Sequence, residues 1–156
     1  RGCATALDRC PIASFSKVFQ ELDLDFNASA ELVAEAGLDG IDCPVRPGGQ
    51  ILPERAAEDL PRYAEALKRN HCKLLLLTTA ILSPSSPNAE SILKTARALG
   101  VTHYRLGYWS YKNQASPEKL QAEVRAQAGG LITMCRGELT PRARSRAGSS
   151  PRRGAG

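Results

Sequence analysis

Between Ile12 and Ala128 the chain repeats one unit four times: an apolar run, a turn, an amphipathic stretch of helical period, and a glycine or polar stop. The apolar runs begin near residues 12, 38, 73 and 101, roughly the thirty-residue spacing of a strand–helix–strand unit. Such a unit lays successive strands side by side and parallel, with a right-handed crossover. The rhythm therefore restricts the fold to the α/β class with a parallel sheet. Eight such units close a barrel, so about four βα units amount to half of one.

Ile12–Phe19 alternates and carries Phe15, Val18 and Phe19, which predicts a first strand. Asn27 is placed to cap a helix over Ala28–Ala36, with Gly37 as its stop. Leu38–Val45 reads as the second strand, and Pro47-Gly48-Gly49 as a loop. Glu54–Asn70 reads as a helix whose acids Glu58 and Asp59 and bases Lys68 and Arg69 complement its dipole, with Pro61 near the first turn. Leu74–Leu77 is a continuous apolar run, as in a parallel strand buried on both faces. Asn88 is placed to cap a third helix that carries Ile92, Leu93, Ala96 and Leu99 and is closed by Gly100. Val101–Leu106 reads as a fourth strand, Gly107–Ala115 as a long loop, and Ser116-Pro117 as the start of a fourth helix.

The rhythm stops at Gly129-Gly130, which divides the chain into an unstructured segment 1–11, a half-barrel domain 12–128 and a disordered Arg-rich tail 129–156. From Arg136 onward six arginines face one glutamate, which accounts for the whole formal net charge of +5. Clustered guanidinium groups attract phosphate, but this tail interleaves no aromatic residue for base stacking and shows no helical period. Neither nucleic acid nor membrane is therefore expected as a partner. The abrupt change of composition also fits a read-through or frame-shifted end, and Arg1 in place of Met fits a fragment or processed product. Five cysteines, odd in number and without a C-x-x-C pair, fit buried or incidental thiols in a reducing compartment. No apolar run approaches the roughly 18 residues of a membrane helix. A cytoplasmic location is expected, with export of a longer parent left open.

Four phrases, SFSKVFQEL (14–22), AGLDGIDCPVRPGGQILPERAAEDLPR (36–62), LLTTAI (76–81) and SPNAESILKTARALGVTHYRLGYWSY (86–111), resemble the xylose isomerase-like TIM-barrel superfamily, in particular its sugar-phosphate isomerases/epimerases. The resemblance covers about residues 12–128. It implies a partial (β/α)8 TIM barrel and, in the full-length parent, proton transfer between adjacent carbons of a sugar with a divalent metal (Mn, Mg, Co or Zn). The family's usual metal set of two glutamates, an aspartate and a histidine lies on later strands, so no cofactor and no metal ligand is expected in this fragment. The expected partner is a small-molecule sugar or sugar phosphate.

In a βα barrel the chemistry gathers at the C-terminal ends of the strands. Those ends offer Lys17, Phe19 and Gln20; Asp42 and Arg46; Thr78 and Thr79; and Arg105, Tyr108 and Trp109. Of these, Lys17, Asp42, Arg46, Thr79, Arg105 and Trp109 form the candidate substrate-binding set. Arginines at positions 46 and 105 can grip a phosphate or carboxylate bidentately, and Trp109 can stack on a sugar ring. Asp42 can orient a base or pair with Arg105 or Lys17. His71 reads as a helix-exit residue and His103 as structural. Two alternatives stand beside the isomerase reading: a non-catalytic half-barrel that self-associates through open sheet edges, and an apurinic-endonuclease-like metal phosphodiesterase, which wants more early histidines than His103 supplies.

Overall fold

The computed structural model describes residues 10–109 and 116–136. In chain order its elements are β1 (Ala13–Phe15), α1 (Lys17–Glu21), α2 (Phe26–Glu35), β2 (Gly40–Val45), a 3-10 turn (Pro53–Arg55), α3 (Ala56–Arg69), β3 (Lys73–Thr79), α4 (Ala89–Ala98), β4 (His103–Arg105) and α5 (Pro117–Arg136). The four strands form one sheet in the order β1-β2-β3-β4, and every neighbouring pair is parallel. Sequential order combined with right-handed crossovers puts all the helices on one side of the sheet. There α2 packs on α3, α3 on α4, and α4 on α5.

Strand parity decides which side chains form the core. On β2, Ile41, Cys43 and Val45 are fully buried against the helices, and on β3 Leu77 joins them. The helices answer with Val33, Leu60, Tyr63, Leu67 and Ile92, none more than 1% exposed. Each such side chain contributes roughly 1.5–3 kcal/mol through removal of apolar surface from water. Phe26 stacks on Tyr63 with ring centroids 4.5 Å apart, which joins α2 to α3. On the opposite face burial is uneven, with Pro44 and Thr78 fully buried toward the strand ends and other side chains partly accessible. Phe15 on that face is 39% exposed, and Leu76 is only half-buried. Within the apolar run of β3, Leu74 and Leu77 are buried but Leu75 and Leu76 only half-buried, short of the burial on both faces that its composition suggested.

Several boundaries differ from the sequence reading for identifiable reasons. The first strand ends at Phe15, and Lys17–Glu21 is helical; Phe15, Val18 and Phe19 follow an i, i+3, i+4 spacing as well as an alternation. Asp25, not Asn27, caps α2, its carboxylate accepting from the Ala28 amide at 2.8 Å. The Asn27 side-chain oxygen Oδ1 instead accepts from Arg69 at 2.6 Å. Pro61 lies inside α3 and not in its first turn. Asn88 stands at the start of α4 in a left-handed conformation, φ 59°, and makes no side-chain cap. Ser86 ties that turn through its hydroxyl oxygen, which accepts from the amides of Leu82 and Ser83.

The fourth helix starts at Ser116-Pro117 as expected but does not stop at Gly129-Gly130; it continues to Arg136. Leu131, 1% exposed, anchors this extension in the core, and Arg97 donates to the Cys135 carbonyl at 3.0 Å. Residues 129–136 are therefore helix, while the rest of the expected tail, most of segment 1–11 and residues 110–115 of the long loop lie outside the described residues. Among the described residues no helix is long and apolar enough to cross a membrane.

The two adjacent glycines of α5 have different surroundings. A Cβ on Gly129 meets nothing within 4 Å, whereas one on Gly130 falls 2.6 Å from Cγ of Pro84, a ring that cannot swing away. Gly129→Ala is expected to stabilise by about 1 kcal/mol through helix propensity. Gly130→Ala is expected to destabilise by roughly 1–3 kcal/mol through overpacking. Urea unfolding of the two variants measures this, and equal gains in both would show that α5 does not rest on Pro84.

Candidate functional site

The C-terminal half of the open sheet face holds the polar side chains. Pairing of Phe15 with Asp42, Asp42 with Leu76, and Leu76 with His103 sets one row across the four strands. The next row toward the strand ends is Pro44, Thr78 and Arg105. Between Ile41 and Asp42 the β2–β3 register slips by one residue, so Ile41 pairs with Leu74 but Asp42 with Leu76. This bulge turns Thr78 to the open face beside Asp42 and sends Thr79 to the helix side.

Asp42 and Thr78 form the centre of the site. The Thr78 hydroxyl donates to the Asp42 carboxylate, 2.8 and 2.9 Å from its two oxygens. Burial pushes the Asp42 carboxyl above the ordinary carboxylate range; the Thr78 hydrogen bond and the charges of Arg105 and Arg46 pull in the other direction without cancelling it. Neither arginine makes an ion pair with Asp42 among the described residues, so the expected Asp42–Arg105 partnership acts through space. Arg105 is exposed and lies over the Tyr108 ring, 5.8 Å from its centroid.

Arg46 is half-buried at the end of β2, on a clamped turn. The Gly49 amide donates to the Arg46 carbonyl at 2.8 Å, and the Ile51 amide to Pro44 at 3.2 Å. A side chain at position 49 would run into the Pro44 carbonyl, so glycine is needed where the loop doubles back. The side-chain Nε2 of Gln50 donates to the Tyr63 hydroxyl at 3.4 Å, linking the same turn to α3.

The remaining candidates lie elsewhere. Lys17 opens α1 and pairs with Glu21 at 3.5 Å, with no contact to Asp42. Thr79 spends its hydroxyl on the backbone, donating to the Arg105 carbonyl at 2.9 Å and accepting from the Ile81 amide at 3.3 Å; its role is to hold β4 to β3. Trp109 is half-buried next to the exposed Tyr108. Phe19 is buried under α1, and His71 is an exposed helix-exit residue at φ 59°. His103 is exposed on the open face, its Nδ1 2.8 Å from the Thr102 hydroxyl. Cys43 faces the helices, and burial pushes its thiol up to about 12, which leaves it unionised and unreactive near neutral pH.

Among the described residues no group of three or more His, Cys, Asp and Glu side chains could hold a metal ion. Asp42 is surrounded by a hydroxyl and two guanidinium charges, a setting that suits an oxygen-rich or anionic ligand and not a divalent cation. Comparison with known protein families, with curated proteins and with solved structures finds no match for this chain.

The raised Asp42 titration has a defined effect on stability. Because the folded state holds this proton more tightly than the unfolded chain, the associated stability is present below pH 3.8 and is lost as pH rises through the folded value. Asp42→Asn keeps an acceptor for Thr78 without the charge. It is expected to raise the melting temperature at pH 7 and to leave it nearly unchanged at pH 3. Thermal unfolding across that range checks this, and the same shift at both pH values would contradict it.

Proposed function

We propose that this chain corresponds to the first four βα units of a sugar or sugar-phosphate isomerase/epimerase-like (β/α)8 barrel, and that its open sheet face is the substrate-positioning wall. The observation that carries this reading is the Asp42–Thr78 pair set between Arg46 and Arg105 at the C-terminal ends of adjacent parallel strands. That is where βα barrels place their ligands. The resemblance of residues 12–128 to that superfamily supplies the reaction class.

The chemistry divides among these residues by type. Asp42 and Thr78 present a carboxylate and a hydroxyl oxygen, suited to the hydroxyl groups of a sugar. Arg105 and Arg46 are fixed positive charges suited to an anionic substituent such as a phosphate or carboxylate, and the Arg105 guanidinium lies over the Tyr108 ring. Moving a proton between adjacent sugar carbons needs a positioned base and a stabilised enediolate. The residues here hold and orient the substrate for that step. They do not fit the divalent metal that the resemblance implies, and no step is assigned to it.

Titration calorimetry with a ketose phosphate such as fructose 6-phosphate, against fructose and inorganic phosphate separately, tests the reading. The ketose phosphate is expected to bind more tightly than either part alone. Loss of a charged hydrogen bond costs about 1.5–3 kcal/mol, so Arg105→Ala is expected to weaken binding about tenfold or more. Absence of binding, or binding indifferent to both Arg105→Ala and Arg46→Ala, would overturn it.

A further inference from the structure

We propose that the open sheet of one chain is completed by a second copy of the same chain, with β4 of each copy pairing in parallel with β1 of the other to close an eight-stranded ring. The inference stands on strand geometry and does not need the sugar reading.

Four features favour a second copy as the occupant. First, the strand order is sequential and wholly parallel, so the sheet has two different edges, β1 and β4, running in the same direction. A two-fold axis parallel to the strands brings β4 of each copy against β1 of the other with the direction already correct, and the arrangement closes without leaving an edge. Second, the edges match in length, since β1 and β4 are each three residues long. Third, two sheets of four strands make eight, the number at which a closed barrel has an interior just filled by side chains. All the helices then lie outside, and the open face becomes the interior.

Fourth, the surfaces along the two edges are complementary. Beside β1, Ile12 and, on α1, Val18 are apolar and 55% and 44% exposed, while Phe15 lies on the open face and would turn into the ring. Beside β4, between α4 and α5, runs a groove of about 470 Å³ lined by Leu93, Ala96, Val101, Tyr104 and Ile132. On the open face β2 carries Asp42 and β4 carries Arg105. Even-numbered strands contribute to the same interior layers of a closed barrel. Two copies therefore place Asp42, Arg105, and Asp42 and Arg105 of the second copy around the ring in alternating sign. Three-residue edges supply few backbone hydrogen bonds, so the association is concentration-dependent.

The test is sedimentation velocity on the 156-residue chain over a wide concentration range, with amide hydrogen exchange at both ends of it. The expected result is a monomer–dimer equilibrium in which the amides of Ala13–Phe15 and His103–Arg105 gain protection together as the dimer fills. Arg105→Glu alone and Asp42→Arg alone gather four like charges in the ring and are expected to remain monomeric, and mixing the two variants is expected to restore a dimer. A wild-type chain that stays monomeric throughout overturns the proposal, as do open-ended oligomers. A dimer whose edge amides exchange as fast as in the monomer overturns it equally, and that measurement does not depend on either variant folding.

Discussion

The pairing of β2 with β3, and the one-residue slip within it, governs most of what surrounds it. These are the two longest strands, and the helices of the core rest on them. Below the slip Gly40 pairs with Lys73, and a Cβ at position 40 would strike the Lys73 carbonyl, so the strands approach this closely only because glycine stands there. Above the slip every partner on β3 is displaced by one residue. In a structure of period two, one residue exchanges the two faces. The bulge thus keeps Ile41, Cys43 and Val45 in the core while setting Thr78 against Asp42.

That exchange explains which parts of the chain could be read without coordinates. The class and the parallel order follow from hydrophobic periodicity, because a repeat of strand and helix has very few ways to pack. The stops at Gly37 and Gly100 were equally legible, and both adopt positive φ. The partner of Asp42 was not. Thr78 and Thr79 are adjacent and chemically identical, and only the position of a bulge, which leaves no trace in residue type, decides between them. The same limit applies to Lys17, whose place at a strand end depended on extending β1 through a stretch whose apolar residues suit either period. Local chemistry also misled at Asn27, a good cap in isolation, because Asp25 two residues earlier binds the helix amides and leaves Asn27 free for Arg69.

The two faces of the sheet are held together by different forces. The helix side is close-packed and apolar, where loss of a single methylene is felt. The open side is organised by one bifurcated hydrogen bond, two guanidinium charges at a distance and a restrained turn. A half-buried carboxylate there is costly to ionise, and the fold tolerates the cost because Thr78 and the nearby positive potential offset part of it. These groups, kept at some expense to stability, lie on the face and at the strand ends where βα folds bind ligands.

The seat of α5 has a mechanical meaning as well. Gly130 lets the helix lie on Pro84, in the loop after β3, while five residues on the Cys135 carbonyl takes a hydrogen bond from the Arg97 side chain of α4. The helix is thus held at two points about one and a half turns apart. It acts as a strut beside β4, a three-residue strand with a neighbour on one side only, and resists the sliding of that strand along β3. The strand that carries Arg105 is thus held both by its ladder to β3, reinforced by the Thr79 hydroxyl, and by this helix, whose Cys135 thiol reaches the Tyr104 hydroxyl.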